Sequence, residues 1–141
     1  MKVDGKSYGL ARLYYHRIAM EAMLIVSDAL CVSPTEMISK KRAKSTVVFA
    51  RQMAMYLAHV VGQMSLGQVA TEFGRERTTV GYSCNAIEDR RDSPIFDNQV
   101  EYLEAQLREK LTVLLTQDLN TDPKDALGDG SKSKTPMLVA G

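Results

Sequence analysis

Two short stretches, Ser33-Pro34-Thr35-Glu36 and Ser65-Leu66-Gly67-Gln68, carry the same local instruction. In each, the Ser hydroxyl can accept from the amide three residues on, while the Glu or Gln side chain reaches back to the Ser amide; both stretches therefore start helices. Pro34 strengthens the first start, since its fixed φ suits the first helical position and its missing N–H is not needed there. Around these starts, apolar residues return every three or four positions. Leu10, Tyr14, Ile18, Ala22, Ile25 and Ala29 make one stripe, which predicts a long amphipathic helix from Ser7 to about Val32. Ser45 or Thr46 can cap a helix with the apolar face Phe49, Ala50, Met53, Ala54, Leu57, Val60 and Val61. Gly62 ends it, and Arg51, Gln52, Met55 and His59 are left on the other side.

The helix opened by Ser65 turns Leu66, Val69, Ala70 and Phe73 inward and stops at Gly74. A further helix runs from about Glu76 to Arg90, with Val80, Cys84 and Ile87 as its buried row. Ser93-Pro94 begins the last, with Phe96, Val100, Leu103, Leu107, Leu111 and Leu114 on one face; that leucine-rich face either pairs two chains in a homodimer or covers the core. No sustained alternation of β-branched and polar residues occurs, and no Asn-Gly or Asp-Gly pair joins two such runs as a hairpin turn. The predicted fold is all-α: one compact helical domain over residues 7–116 with a long N-terminal helix, a helix-turn-helix and a C-terminal helix. From Gln117 the composition turns to Asp, Asn, Gly, Ser, Lys and Pro, which predicts a disordered tail over 117–141. Its apolar tip, Met137-Leu138-Val139-Ala140, reads as a terminus rather than a docking peptide.

Composition excludes several classes. No apolar run approaches the roughly 20 residues that cross a bilayer, and nothing near Met1 resembles a secretory signal, so the expected location is the cytoplasm, on the nucleoid. Aromatic content of 6% without Trp argues against a carbohydrate or aromatic-cage binder. Cys31 and Cys84 are expected as free thiols. With His16 and His59 they offer no metal-ligand spacing, and the reading is a non-enzyme without cofactor or metal. Net charge is only +1, but residues 1–87 carry 11 basic and 6 acidic side chains, whereas 88–141 carry 7 and 11. No acidic residue stands between Glu36 and Glu72, and that interval holds Lys40, Lys41, Arg42, Lys44 and Arg51. Such a stretch suits a polyanion. The acidic cluster Glu88, Asp89, Asp92 and Asp97, interrupted by Arg90 and Arg91, reads as a solvated helix end.

The helices meeting at Gly74 have the layout of a helix-turn-helix. Ala70 is small enough for a close crossing, Gly74 can take the left-handed turn, and Val80 fills the angle between the helices. That leaves Arg75, Glu76, Arg77, Thr78 and Thr79 free to bond base edges and phosphates.

Ile38-Ser39-Lys40-Lys41-Arg42, the run Ala50 to Ala58, Ser65-Leu66 with Val69 and Phe73-Gly74, and Arg75-Glu76-Arg77-Thr78-Thr79-Val80 fall in one order. Over residues 14–90 this order resembles the C-terminal DNA-binding domain of the bacterial replication initiator DnaA. In that family the domain reads a nine-base-pair box. The resemblance implies a minor-groove role for Arg51, base-reading roles for Glu76, Arg77, Thr78 and Thr79, and backbone roles for Lys40, Lys41, Arg42, Lys44 and Ser65. Departures accompany it. Phe49-Ala50 replaces the family's Arg-Pro, one residue near Thr46 is extra, the turn before Glu76 is one residue shorter, and Gly81 stands where the family has Leu. Glu accepts from cytosine and Arg donates to guanine, so the preferred sequence is expected to differ. No Gly-x-x-x-x-Gly-Lys-Ser/Thr loop is present to cradle nucleotide phosphates. The expected function is a small sequence-specific binder of double-stranded DNA acting in transcription regulation. The alternatives are a replication modulator competing for initiator boxes and a helical interaction module without DNA binding.

Overall fold

Helix α3 (Ser45–Val60) is the element around which the others are arranged. Its residues Met53 to Ala58 are all buried, so no side of that stretch faces water. A helix apolar all round belongs in a core. This corrects the two-sided reading of α3: Met55 and Tyr56 are interior, and Val60 is exposed. The structure, a computed structural model, describes the backbone of residues 5–120 and the side chains of 11–117. The Leu10 side chain and the tail from residue 121 on, apolar tip included, lie outside the described residues.

Around α3 pack α1 (Gly5–Leu30), α2 (Pro34–Ile38), α4 (Leu66–Phe73) and α5 (Arg77–Arg90); α6 (Pro94–Asn120) follows in the chain, and no strand occurs among the described residues. The buried row of α1 is Ile18, Ala19, Ala22, Met23 and Val26, rotated from the predicted stripe, so that Ile25 is half-buried and Ala29 exposed. Contact with more than one neighbouring helix explains the rotation, because a face shared among α2, α3 and α4 is wider than a single row. Helix α1 ends at Cys31, whose φ of 58° is left-handed.

Both capping boxes form. The Ser33 hydroxyl accepts from the Glu36 amide at 3.1 Å and Ser65 from Gln68 at 3.1 Å, each with the reciprocal bond to the Ser amide. The expected cap of α3 does not: Ser45 lies inside the helix, and Lys44 is its N-cap with no side-chain cap bond. Gly62 differs too. The left-handed residue after α3 is Gln63, with φ 57°, while Gly62 is needed for space, since a Cβ there would run into Ile18 and the Ala58 carbonyl.

The chain divides into two units between Leu111 and Thr112. In the first, Val100, Leu103, Leu107 and Leu111 of α6 are buried within the chain itself. This corrects the homodimer expectation: those side chains already cover the core and are not open to a second copy, and Leu114, in the second unit, is half-buried. In that unit α6 continues as helix to Asn120, beyond the residue 116 expected to close the domain. Nothing between Pro94 and Asp122-Pro123 breaks a helix, since no Gly or Pro intervenes. Among the described residues no helix is long and apolar enough to cross a membrane.

The acidic cluster after α5 is a solvated helix end only in part: Asp89 and Asp92 are exposed, whereas Glu88 and Asp97 belong to a network around Arg91. Arg91 donates Nε to Asp97 Oδ1 at 2.5 Å and Nη1 to both Glu104 Oε2 at 2.8 Å and the Tyr56 hydroxyl at 2.9 Å. The buried Tyr56 hydroxyl in turn donates to Glu88 at 3.2 Å. These carboxylates and hydrogen bonds hold the Arg91 charge firmly against the opposing effect of burial, raising its pKa. Arg90 lies over the rings of Phe49 and Phe96, 4.8 and 4.2 Å from their centroids.

Candidate nucleic-acid interface

Helix α4 ends in a left-handed Gly74, φ 63°, a conformation glycine adopts without a Cβ penalty. The Arg75 amide donates back to the Ala70 carbonyl at 3.0 Å, closing the turn as a helix C-cap. Ala70 is buried, and the fully buried Val80 fills the angle between α4 and α5. Two further helix contacts steady this pair: His16 Nδ1 on α1 lies 2.9 Å from Glu72 Oε1 on α4, and His59 Nδ1 meets the Met64 carbonyl oxygen at 2.7 Å.

The loop after α2 is fastened to this turn. The Lys40 ammonium donates to the Gly74 carbonyl, and Arg75 Nη2 donates to the Ser39 carbonyl at 2.8 Å. From α3, Arg51 Nε donates to the Met37 carbonyl at 2.6 Å. Three segments far apart in sequence thereby share one concave surface of about 720 Å³. The cations Lys40, Lys41, Arg42, Arg51 and Arg75 line it, together with Glu76 and Thr79. Burial, and then the nearby Arg75 charge, lower the pKa of Arg51. Two guanidiniums that repel each other across a concavity gain when an anion enters between them.

The remaining predicted residues lie around this surface rather than on it. Lys44 is exposed at the N-cap of α3, and Arg77 and Thr78 are exposed in the first turn of α5. The Ser65 hydroxyl is engaged by its own helix start. Glu76 is the N-cap of α5 yet makes no side-chain cap bond, so its carboxylate is free to act outward. Among the described residues, Lys41, Arg42, Lys44 and Arg77 form no ion pair. Sequence reasoning missed two members of the concavity, Ala43 and Val48. Val48 stands three residues before Arg51 on the same helix face, and that spacing was the available signal.

Residues 21–87, which span the helices just described from α1 through α5, match the family described as the bacterial dnaA protein helix-turn-helix. Over those residues the chain is similar to the DnaA C-terminal domain. It also superposes on the crystal structure of a DNA replication initiation factor with a TM-score of 0.68 and 26% identity over 74% of its own length. The chain spans about a third (32%) of that factor's length. The DnaA-like match ends at Ile87, just before the Glu88–Glu104 segment that carries the Arg91 network.

Proposed function

We propose that this chain binds double-stranded DNA sequence-specifically and acts in transcription regulation. The observation carrying this reading is the concave cationic surface beside α5, which Arg51 and Arg75 both line and beside which the first turn of α5 is exposed. Helix α5 enters the major groove with Arg77, Thr78 and Glu76 toward base edges, while Lys41, Arg42, Lys44 and Arg51 contact phosphates along the groove edge. Lys40 and Arg75 have a second duty, since both hold the loop against the turn through backbone carbonyls.

Competition for initiator boxes, the replication reading, rests on the likeness to an initiation factor. Glu76-Arg77 at the start of α5 favours regulation, because a competitor needs the reading pair of the protein it displaces. Selection of bound sites from random double-stranded oligonucleotides decides between them. A recovered motif unlike the initiator box supports regulation, and the box itself supports replication control. No enriched motif, with no mobility shift in excess competitor DNA, leaves a helical interaction module without DNA binding and removes both readings.

A further inference from the structure

Of the residues already assigned to reading, only Thr78 lies at the centre of the exposed side of α5. Val80, Ser83, Cys84 and Ile87 are its buried residues. At 3.6 residues per turn, the row directly opposite is Thr78, Tyr82, Asn85 and Asp89. All four are exposed. Tyr82 is 72% exposed, an unusual position for a large ring, and neither Tyr82 nor Asn85 makes a side-chain hydrogen bond among the described residues.

Gly81 adds an independent observation. It lies between Arg77 and Asn85 in the i, i+4, i+8 row on the flank of that face. A glycine inside a helix costs about 1 kcal/mol relative to alanine. The fold does not need it there, since a Cβ would meet only the Leu66 side chain, at an ordinary 3.7 Å. Its φ is not in the left-handed range either. A missing side chain there leaves room for a surface docked on α5 to approach the helix closely.

We infer that Tyr82 and Asn85 extend the base-reading face of α5 by a further turn, Asn85 pairing with an adenine and the Tyr82 ring packing on a thymine methyl. This rests on the reading of α5 as the recognition helix. Asn presents one donor and one acceptor, the complement of adenine N7 and N6, and an aromatic face fits the thymine C5-methyl. Thr78 to Asn85 spans about 10 Å of helix, matching roughly three base-pair steps. Asp89 ends the face, because a carboxylate one turn on meets the phosphates with like charge.

The test is site selection and competition binding with the full chain and its Tyr82→Ala, Tyr82→Phe, Asn85→Ala and Arg77→Ala variants. Both positions are exposed, so melting should not change. Asn85→Ala should erase an adenine preference at one position and weaken binding to the selected site about tenfold, while random DNA changes less than about twofold. Tyr82→Ala should do the same at a neighbouring thymine, and Tyr82→Phe should keep it. Uniform loss on all sequences would make both residues phosphate contacts and overturn the inference. Unchanged motifs in both Ala variants, with Arg77→Ala losing its own base, would also overturn it and leave the reading of α5 standing. Failure of the parent chain to select any site would remove both.

Discussion

Two clusters of charge in this chain are built from the same residue types and behave oppositely. At the junction of α5 and α6, Arg91 is matched to Asp97, Glu104 and the Tyr56 hydroxyl, all within the protein. Across the face formed by the α2–α3 loop, α3 and the Gly74 turn, cations outnumber carboxylates, and those held in place are held by backbone carbonyls. The first arrangement satisfies its charges internally and fixes the fold. The second positions charge while leaving it uncompensated, which prepares it for an external anion. Neither charge density nor sequence clustering separates the two; the source of the counter-charge does.

The strongest way to break the comparison is Arg91→Ala. Removing one partner leaves Glu104 with an uncompensated, largely buried charge, a loss of about 3 kcal/mol or more in chemical denaturation. DNA affinity of the folded protein should hardly move; a variant that melts normally but binds poorly would mean that the two clusters are not separate in function. Next in size is Ala70→Leu, which overpacks the crossing of α4 and α5 and should cost about 1 to 3 kcal/mol. Its DNA affinity should fall by more than its stability loss accounts for, and undiminished binding would sever the helix-turn-helix geometry from function.

The opposite pattern is expected when Lys41, Arg42 and Lys44 become Ala together. Stability should stay within about 0.5 kcal/mol, as for surface substitutions. The dependence of log affinity on log salt should become shallower by about two to three units, at roughly 0.9 per phosphate contact. An unchanged slope would make the loop an ordinary solvated surface.

The smallest effect concerns the thiols. Burial first, and the Glu88 charge second, push Cys84 from a thiol's ordinary 9.0 up to about 11, whereas Cys31 is exposed. Native protein at pH 8 should therefore alkylate at Cys31 alone. Because the folded pKa of Cys84 is the higher one, its contribution to stability is intact below about pH 9 and is lost as pH rises toward 11. Equal labelling of both cysteines would show that α5 opens readily.

Local rules made the helices legible. The Ser33 and Ser65 capping boxes and the Gly74 turn depend on neighbours within five residues, and all three form. What the sequence did not reveal depends on packing between segments. The burial of Met55 and Tyr56 follows from α3 being enclosed by α1, α2, α4 and α5. Gly62 is small for the sake of Ile18, 44 residues earlier in the chain. The residues of the basic interval were visible as a group, yet their fastening to Gly74 and Met37 was not, since it uses backbone carbonyls that no side-chain pattern reports. The Arg91 network was misread for a related reason: Tyr56 and Glu104 lie 35 and 13 residues away.

The central claim is that the cationic face contacts any DNA while the start of α5 chooses the sequence, and parallel binding of Arg77→Ala and Lys41→Ala to the selected site and to random DNA tests it most directly. Each substitution removes one positive charge, so the two variants differ only in what that charge touches. Arg77→Ala should weaken the selected site about 5- to 150-fold, the range for a bidentate pair with guanine, and random DNA much less. Lys41→Ala should weaken both DNAs alike and lower the salt slope by about one unit. If both variants instead lose affinity uniformly on the two DNAs, Arg77 is a phosphate contact like Lys41, and the division of labour between the two parts of this surface is wrong.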